Sequence, residues 1–154
     1  MYPAVKWPAA IWAGVAAGIL ATLAQILMWL LSADAPVWTL LLRDARLTAA
    51  IVLGRGVLAP PATFDAGVML IAAVIHFGLS IGYGVTVALM TVRTSARVAV
   101  LIGALFGVAL YVVNLYGFTA IFPWFADVRG WVTLVTHIVF GVAAAAAYRL
   151  FARL

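Results

Sequence analysis

The chain has 154 residues, 68% of them hydrophobic and 8% charged, with a mean hydropathy of +1.24. A water-soluble domain of that composition would lack surface-forming residues, so the chain reads as one integral membrane domain in a lipid bilayer. The absence of cysteine excludes disulfides, thiolate metal sites and covalent c-type haem; the net charge of +5 sits scattered at the ends of apolar segments and excludes a nucleic-acid footprint.

A bilayer core takes roughly 20 apolar residues as helix. The first such stretch covers residues 9–31 and carries Gly14, Gly18 and Gln25. Ala33-Asp34-Ala35 has the look of a signal-peptide cleavage site, but the apolar run before it is too long for a signal sequence, so it is read as a span. Residues 37–58 are apolar but interrupted by Arg43, Asp44, Arg46 and Arg55. Leu41, Leu42, Ala45, Ala49 and Val52 line one face, which predicts an amphipathic segment lying on the outer membrane surface. Gly54 and Gly56, then Pro60-Pro61, end it.

The second span, residues 66–90, carries His76, Gly78, Ser80, Gly82 and Tyr83. Its Ser80-Ile81-Gly82-Tyr83-Gly84 run looks like a potassium-channel filter, but it sits within helix-length apolar sequence, and two glycines flanking a tyrosine in a packed helix is the better reading. The third span, residues 97–118, carries Gly103, Gly107 and Asn114; the fourth, residues 131–151, carries His137 and Gly141. The expected architecture is therefore an all-α membrane protein of four transmembrane helices.

Lys6, Arg93, Arg97, Arg149 and Arg153 fall on the side holding both termini, and Arg43, Arg46, Arg55 and Arg129 on the other. All four acids, Asp34, Asp44, Asp65 and Asp127, join the second side. The positive-inside rule then puts both termini in the cytoplasm. Trp7, Trp12, Trp29, Trp38, Trp124 and Trp131 lie near expected interfaces as an aromatic belt.

Gly14-x3-Gly18-x6-Gln25 is matched by Gly103-x3-Gly107-x6-Asn114, and a histidine follows in the next span each time. This reads as a duplicated helical hairpin, the two copies parallel and related by a pseudo-two-fold along the membrane normal, with an insertion near residues 39–65. The single glutamine, the single asparagine and both histidines fall in the outer half of their spans. Each needs a partner there, which predicts one shared buried cluster of Gln25, His76, Ser80, Tyr83, Asn114 and His137. Gly14, Gly18, Gly78, Gly82, Gly103, Gly107 and Gly141 are expected to serve helix packing.

Three chemistries compete for such a cluster. Amides and imidazoles act as interhelical glue at about 0.6–2 kcal/mol per contact, with Gln25 on His76 and Asn114 on His137. Alternatively, His76 and His137 clamp a b-type haem, with Gly78, Gly82, Gly141 and the run Ala143 to Ala147 making room for the porphyrin. Copper on Met28, Met69 and His76 is a weaker variant. A small oligomeric channel or carrier is the third class, although no acid lies within a span and the inner half of each span is nearly bare of polar groups. No catalytic set and no metal-binding motif is present.

The segments Gly14 to Gln25, Ile75-His76-Phe77-Gly78-Leu79-Ser80 with Gly82-Tyr83, Gly103-Ala104-Leu105, Pro123-Trp124, and Thr136-His137 with Arg149 resemble the YagU-like proteins, small four-helix bacterial inner-membrane proteins. The resemblance implies location and topology and no substrate. The expected role is non-enzymatic: an accessory or self-associating subunit, in a homo-oligomer or a larger membrane complex.

Overall fold

A computed structural model describes residues 4–32 and 35–153. The signal-like Ala33-Asp34 and the charge of Asp34 lie outside the described residues. The described chain is helical, with no strand. Its long helices are α1 (Trp7–Ser32), α2 (Val37–Leu53), α3 (Ala66–Thr91), α4 (Ala96–Val112) and α5 (Trp131–Phe151). Four segments are long and apolar enough to cross a membrane: α1, α3, α5, and α4 with its extension to Ala120. Each boundary lies within two residues of its expected position because apolar run length alone sets it.

Local signals place the ends. Asp65 caps α3 by accepting from the Val68 amide at 2.9 Å, and Ser95 caps α4 by accepting from Val98 at 3.4 Å. Gly54 stops α2 with a φ of 75°, a conformation that side chains resist. The Ser80–Gly84 run is uninterrupted helix within α3, not an extended filter. Within the spans, hydroxyls turn back on their own helix: Thr22 on the Gly18 carbonyl at 3.0 Å, Thr86 on Gly82 at 3.0 Å, and the fully buried Thr91 on Val87 at 2.7 Å. In lipid no water can take these protons, so the backbone does.

α1 packs against both α3 and α5, α4 packs against α5, and α3 touches α4 only lightly. Alanines dominate the core. One cluster joins Ala17, Ala21, Val87, Ala99, Leu110, Phe140, Ala144 and Ala145; a second, nearer the termini, joins Ala9, Ala10, Ala13, Ala88 and Tyr148. Small residues let helices approach closely, and van der Waals contact then replaces a hydrophobic driving force that lipid removes. The outward surface is leucine-rich, with Leu30, Leu31, Leu101 and Leu105 all exposed, as a lipid-facing surface requires.

α2 lies against α3 through Ala49, Val68 and Ala72, with Met69 filling beside them. Arg46 fastens the connection onward: its guanidinium donates to the Val57 carbonyl at 2.8 Å and to the Thr63 carbonyl at 2.6 and 3.0 Å. The tryptophans divide. Trp7, Trp12, Trp38 and Trp131 are exposed as a belt demands, but Trp29 is buried, and Trp124 donates its indole N–H to the Leu47 carbonyl at 3.1 Å. These last two are packing residues, not interface anchors.

Candidate functional site

Glycines build two close helix contacts. In the first, α1 meets α3: a Cβ at Gly14 would lie 2.5 Å from the Ser80 carbonyl oxygen, and one at Gly84 would collide with the Gly14 backbone. One turn along α1, Gly18 faces the Ser80 hydroxyl and His76 Nε2. In the second, α4 meets α5: Gly103 meets the Gly141 carbonyl and the Ala145 Cβ, and Gly107 meets the backbone of His137 and Ile138. These approaches admit no side chain at Gly14, Gly103, Gly107 or Gly141. Gly78 and Gly82 differ. A Cβ at either meets nothing within 4 Å, so neither packs against another part of the described chain.

The polar residues sit on this scaffold in separate places. On α5, His137 Nδ1 donates to the Thr133 carbonyl at 2.7 Å, which fixes Nε2 as the acceptor facing the Asn114 amide nitrogen at 3.4 Å. Tyr83 packs edge-on against Phe106 and Phe140, and its hydroxyl comes within side-chain reach of Asn114. Asn114, His137 and Tyr83 therefore share one neighbourhood, in which the buried Asn114 Oδ1 has no hydrogen-bond partner among the described residues.

Asn114 stands in a π turn, Val113–Gly117, that widens the end of α4. A π turn leaves carbonyls unpaired, and Arg129 takes one: its Nε donates to Leu115 at 2.7 Å while its guanidinium lies 4.4 Å over the Tyr116 ring.

Gln25 goes elsewhere. Its amide donates to Asp44 on α2 at 3.0 Å, and Arg43 binds the other carboxylate oxygen at 2.8 and 2.9 Å. Burial raises the Asp44 carboxyl above its ordinary range, against the opposing pull of Arg43 and Gln25. His76 is left with a buried Nε2 facing Gly18 and completing no hydrogen bond among the described residues. The expected single cluster is thus three arrangements: Gln25 with Asp44; His76 with Ser80 over Gly18; and Asn114 with His137 and Tyr83. The expected Gln25–His76 contact is replaced because α2 brings a carboxylate, a stronger acceptor than an imidazole, to the end of α1.

Sequence reasoning left Asp44 at the surface, because a charge in an amphipathic helix normally faces water. In the structure its neighbours Leu42 and Leu47 are buried, and the adjacent Arg43, which pairs with it, is the signal the sequence offers.

The residues expected to hold a porphyrin face different helix pairs. His76 turns toward α1 and His137 toward α4, each into its own helix pair. The small residues that would make room are otherwise engaged: Gly141 is pressed on Gly103, and Gly78 and Gly82 look outward. Nor do the described residues bring three or more histidine or acid groups together for a metal ion. A cleft of about 300 Å³ does open between α3 and α4, lined by Tyr83, Thr86, Phe106, Leu110, Val113 and Phe118; neither histidine lines it.

Compared with known proteins, the chain matches no family model, no curated protein and no solved structure.

Proposed function

We propose that this is a non-enzymatic inner-membrane assembly subunit, both termini cytoplasmic, that pairs with a second copy of itself through the outward face of α3. The observation that carries the reading is the pair Gly78 and Gly82. Glycine in a helix interior is about 1 kcal/mol less favourable than alanine. Elsewhere in the spans Gly14, Gly84, Gly103, Gly107 and Gly141 each answer to a backbone that leaves no room for Cβ. Gly78 and Gly82 answer to nothing among the described residues, yet they have the small-xxx-small spacing of a close helix crossing. Thr86, exposed one turn further, adds a hydroxyl to the same stripe.

The duplicated hairpin belongs to this reading. Three residue pairings of the α1–α3 pair have counterparts in the α4–α5 pair: Gly14 on the Ser80 carbonyl with Gly103 on the Gly141 carbonyl, Gly14 by Gly84 with Gly103 by Ala145, and Gly18 by the His76 ring with Gly107 by the His137 backbone. Two similar pairs in parallel, with α2 inserted in the first as an outer strap, account for that correspondence. The likeness to YagU-like proteins supports the same location. Interhelical bonding is the role that fits the buried amides and imidazoles.

Native mass spectrometry from mild detergent tests the pairing. Wild type runs as a dimer, and Gly82→Leu runs as a folded monomer with unchanged helicity. A wild-type monomer across the accessible concentration range refutes it.

A further inference from the structure

At the end of the bundle holding the termini, a cleft of about 230 Å³ is lined by Ala4, Lys6, Val92, Tyr148, Arg149, Ala152 and Arg153. Its floor is apolar: Tyr148 is buried and packs with Ala9, Ala10 and Ala88. Its rim carries Lys6 and Arg153, both exposed. Between them, Arg149 donates one terminal nitrogen to the Thr94 carbonyl at 2.7 Å, closing the α3–α4 turn onto α5. Its Nε is buried and has no hydrogen-bond partner among the described residues.

An orphaned guanidinium N–H is costly where water is scarce, and the positive-inside rule does not ask for one: it asks for charge near the membrane, not for a buried donor in a cleft. The acids Asp44, Asp65 and Asp127 belong to segments at the other end of the bundle. Two helix N-termini (α1, α4) and two C-termini (α3, α5) meet at this end, so their dipoles offset and the side-chain cations set the local field.

We infer that this cleft is a binding site for one phosphate-class anion, held by Lys6, Arg149 and Arg153. The charge arrangement suits a monoanionic phosphodiester, and the site lies where a lipid headgroup or a soluble phosphate has access. The bundle is then fastened at this end by a bound anion bridging the segment before α1 and the end of α5. This site is independent of the α3 pairing face.

The test is retention of phosphatidylglycerol by the full-length protein in native mass spectrometry, with phosphatidylcholine and inorganic phosphate as separate arms. Wild type should hold one phosphatidylglycerol more tightly than phosphatidylcholine. The double variant Lys6→Gln/Arg153→Gln touches only rim side chains and should weaken it by about 30-fold, each cation contributing roughly five-fold. Arg149→Lys keeps the charge but loses the fork, and should weaken retention while helicity is unchanged. If inorganic phosphate displaces the lipid and itself raises the thermal midpoint of wild type but not of the double variant, the same site is assigned to a soluble anion. Equal retention by wild type and the double variant, or no preference between the two lipids and no effect of phosphate, overturns the proposal.

Discussion

The α1–α3 and α4–α5 pairs share a glycine-on-carbonyl contact, Gly14 on Ser80 and Gly103 on Gly141, and differ in what their amides do. Both are set by glycines at four-residue spacing, Gly14 and Gly18 in one and Gly103 and Gly107 in the other. In the second pair the amide of Asn114 reaches across to His137 on its partner helix. In the first, Gln25 is drawn off to Asp44 on α2, and His76 keeps an unsatisfied ring nitrogen. Close approach is decided by the absence of a side chain, so Gly14 and Gly103 each meet a backbone carbonyl, while Gly18 meets the side chains of Ser80 and His76 and Gly107 the backbone of His137 and Ile138. A side-chain hydrogen bond goes to the best acceptor within reach, and the intervening α2 changes which acceptor that is.

The largest expected effect comes from filling the shared contact. Gly107→Leu or Gly141→Leu forces a side chain into a neighbouring backbone and should cost about 3 kcal/mol or more, read as a lowered unfolding midpoint in detergent. The same leucine at Gly78, with open space around it, should leave the monomer's midpoint unchanged. Equal losses at both places would break the distinction between inward and outward glycines.

Next are the histidines. His137→Leu removes an interhelical bond and a capped ring, and should cost about 0.6–2 kcal/mol. His76→Leu removes a ring whose buried Nε2 completes no hydrogen bond among the described residues, and should cost less than His137→Leu. Equal destabilisation by the two would mean that His76 has a partner after all. Purified protein should also show no Soret band, since each imidazole is committed to its own helix pair; a band lost on His76→Ala would reverse that statement.

The smallest effect is on pH. The Asp44 carboxyl is raised in the fold, so the native state holds the proton more tightly than the unfolded chain. Stability should therefore be greatest below the ordinary aspartate range and decline as pH rises through the raised value. Asp44→Asn should flatten that slope and leave the amide of Gln25 an acceptor. A wild-type midpoint that rises over the same window would contradict the assignment.

Much of this was legible in the sequence. Span boundaries follow from apolar run lengths, and α2 from its charged and apolar faces with Gly54 as terminator. The Asn114–His137 approach followed from matching Gly-x3-Gly-x6 patterns. The fate of Gln25 was not legible, because it depends on how far α2 folds back over the end of α1, which no local pattern encodes. The outward turn of Gly78 and Gly82 could have been found. Residues two apart on a helix point about 200° from each other, so Gly82 and Gly84 cannot both face the bundle, and Ser80 with Gly84 form the inward row.

Single-cysteine cross-linking in native membranes tests the self-association claim most directly, since the natural chain has no cysteine to interfere. Gly78→Cys and Gly82→Cys should give a disulfide-linked dimer under mild oxidation, whereas Leu105→Cys, on an exposed face of α4, should stay monomeric. Monomer from all three, or dimer in equal yield from Leu105→Cys, would show that the outward glycines of α3 do not meet a second copy.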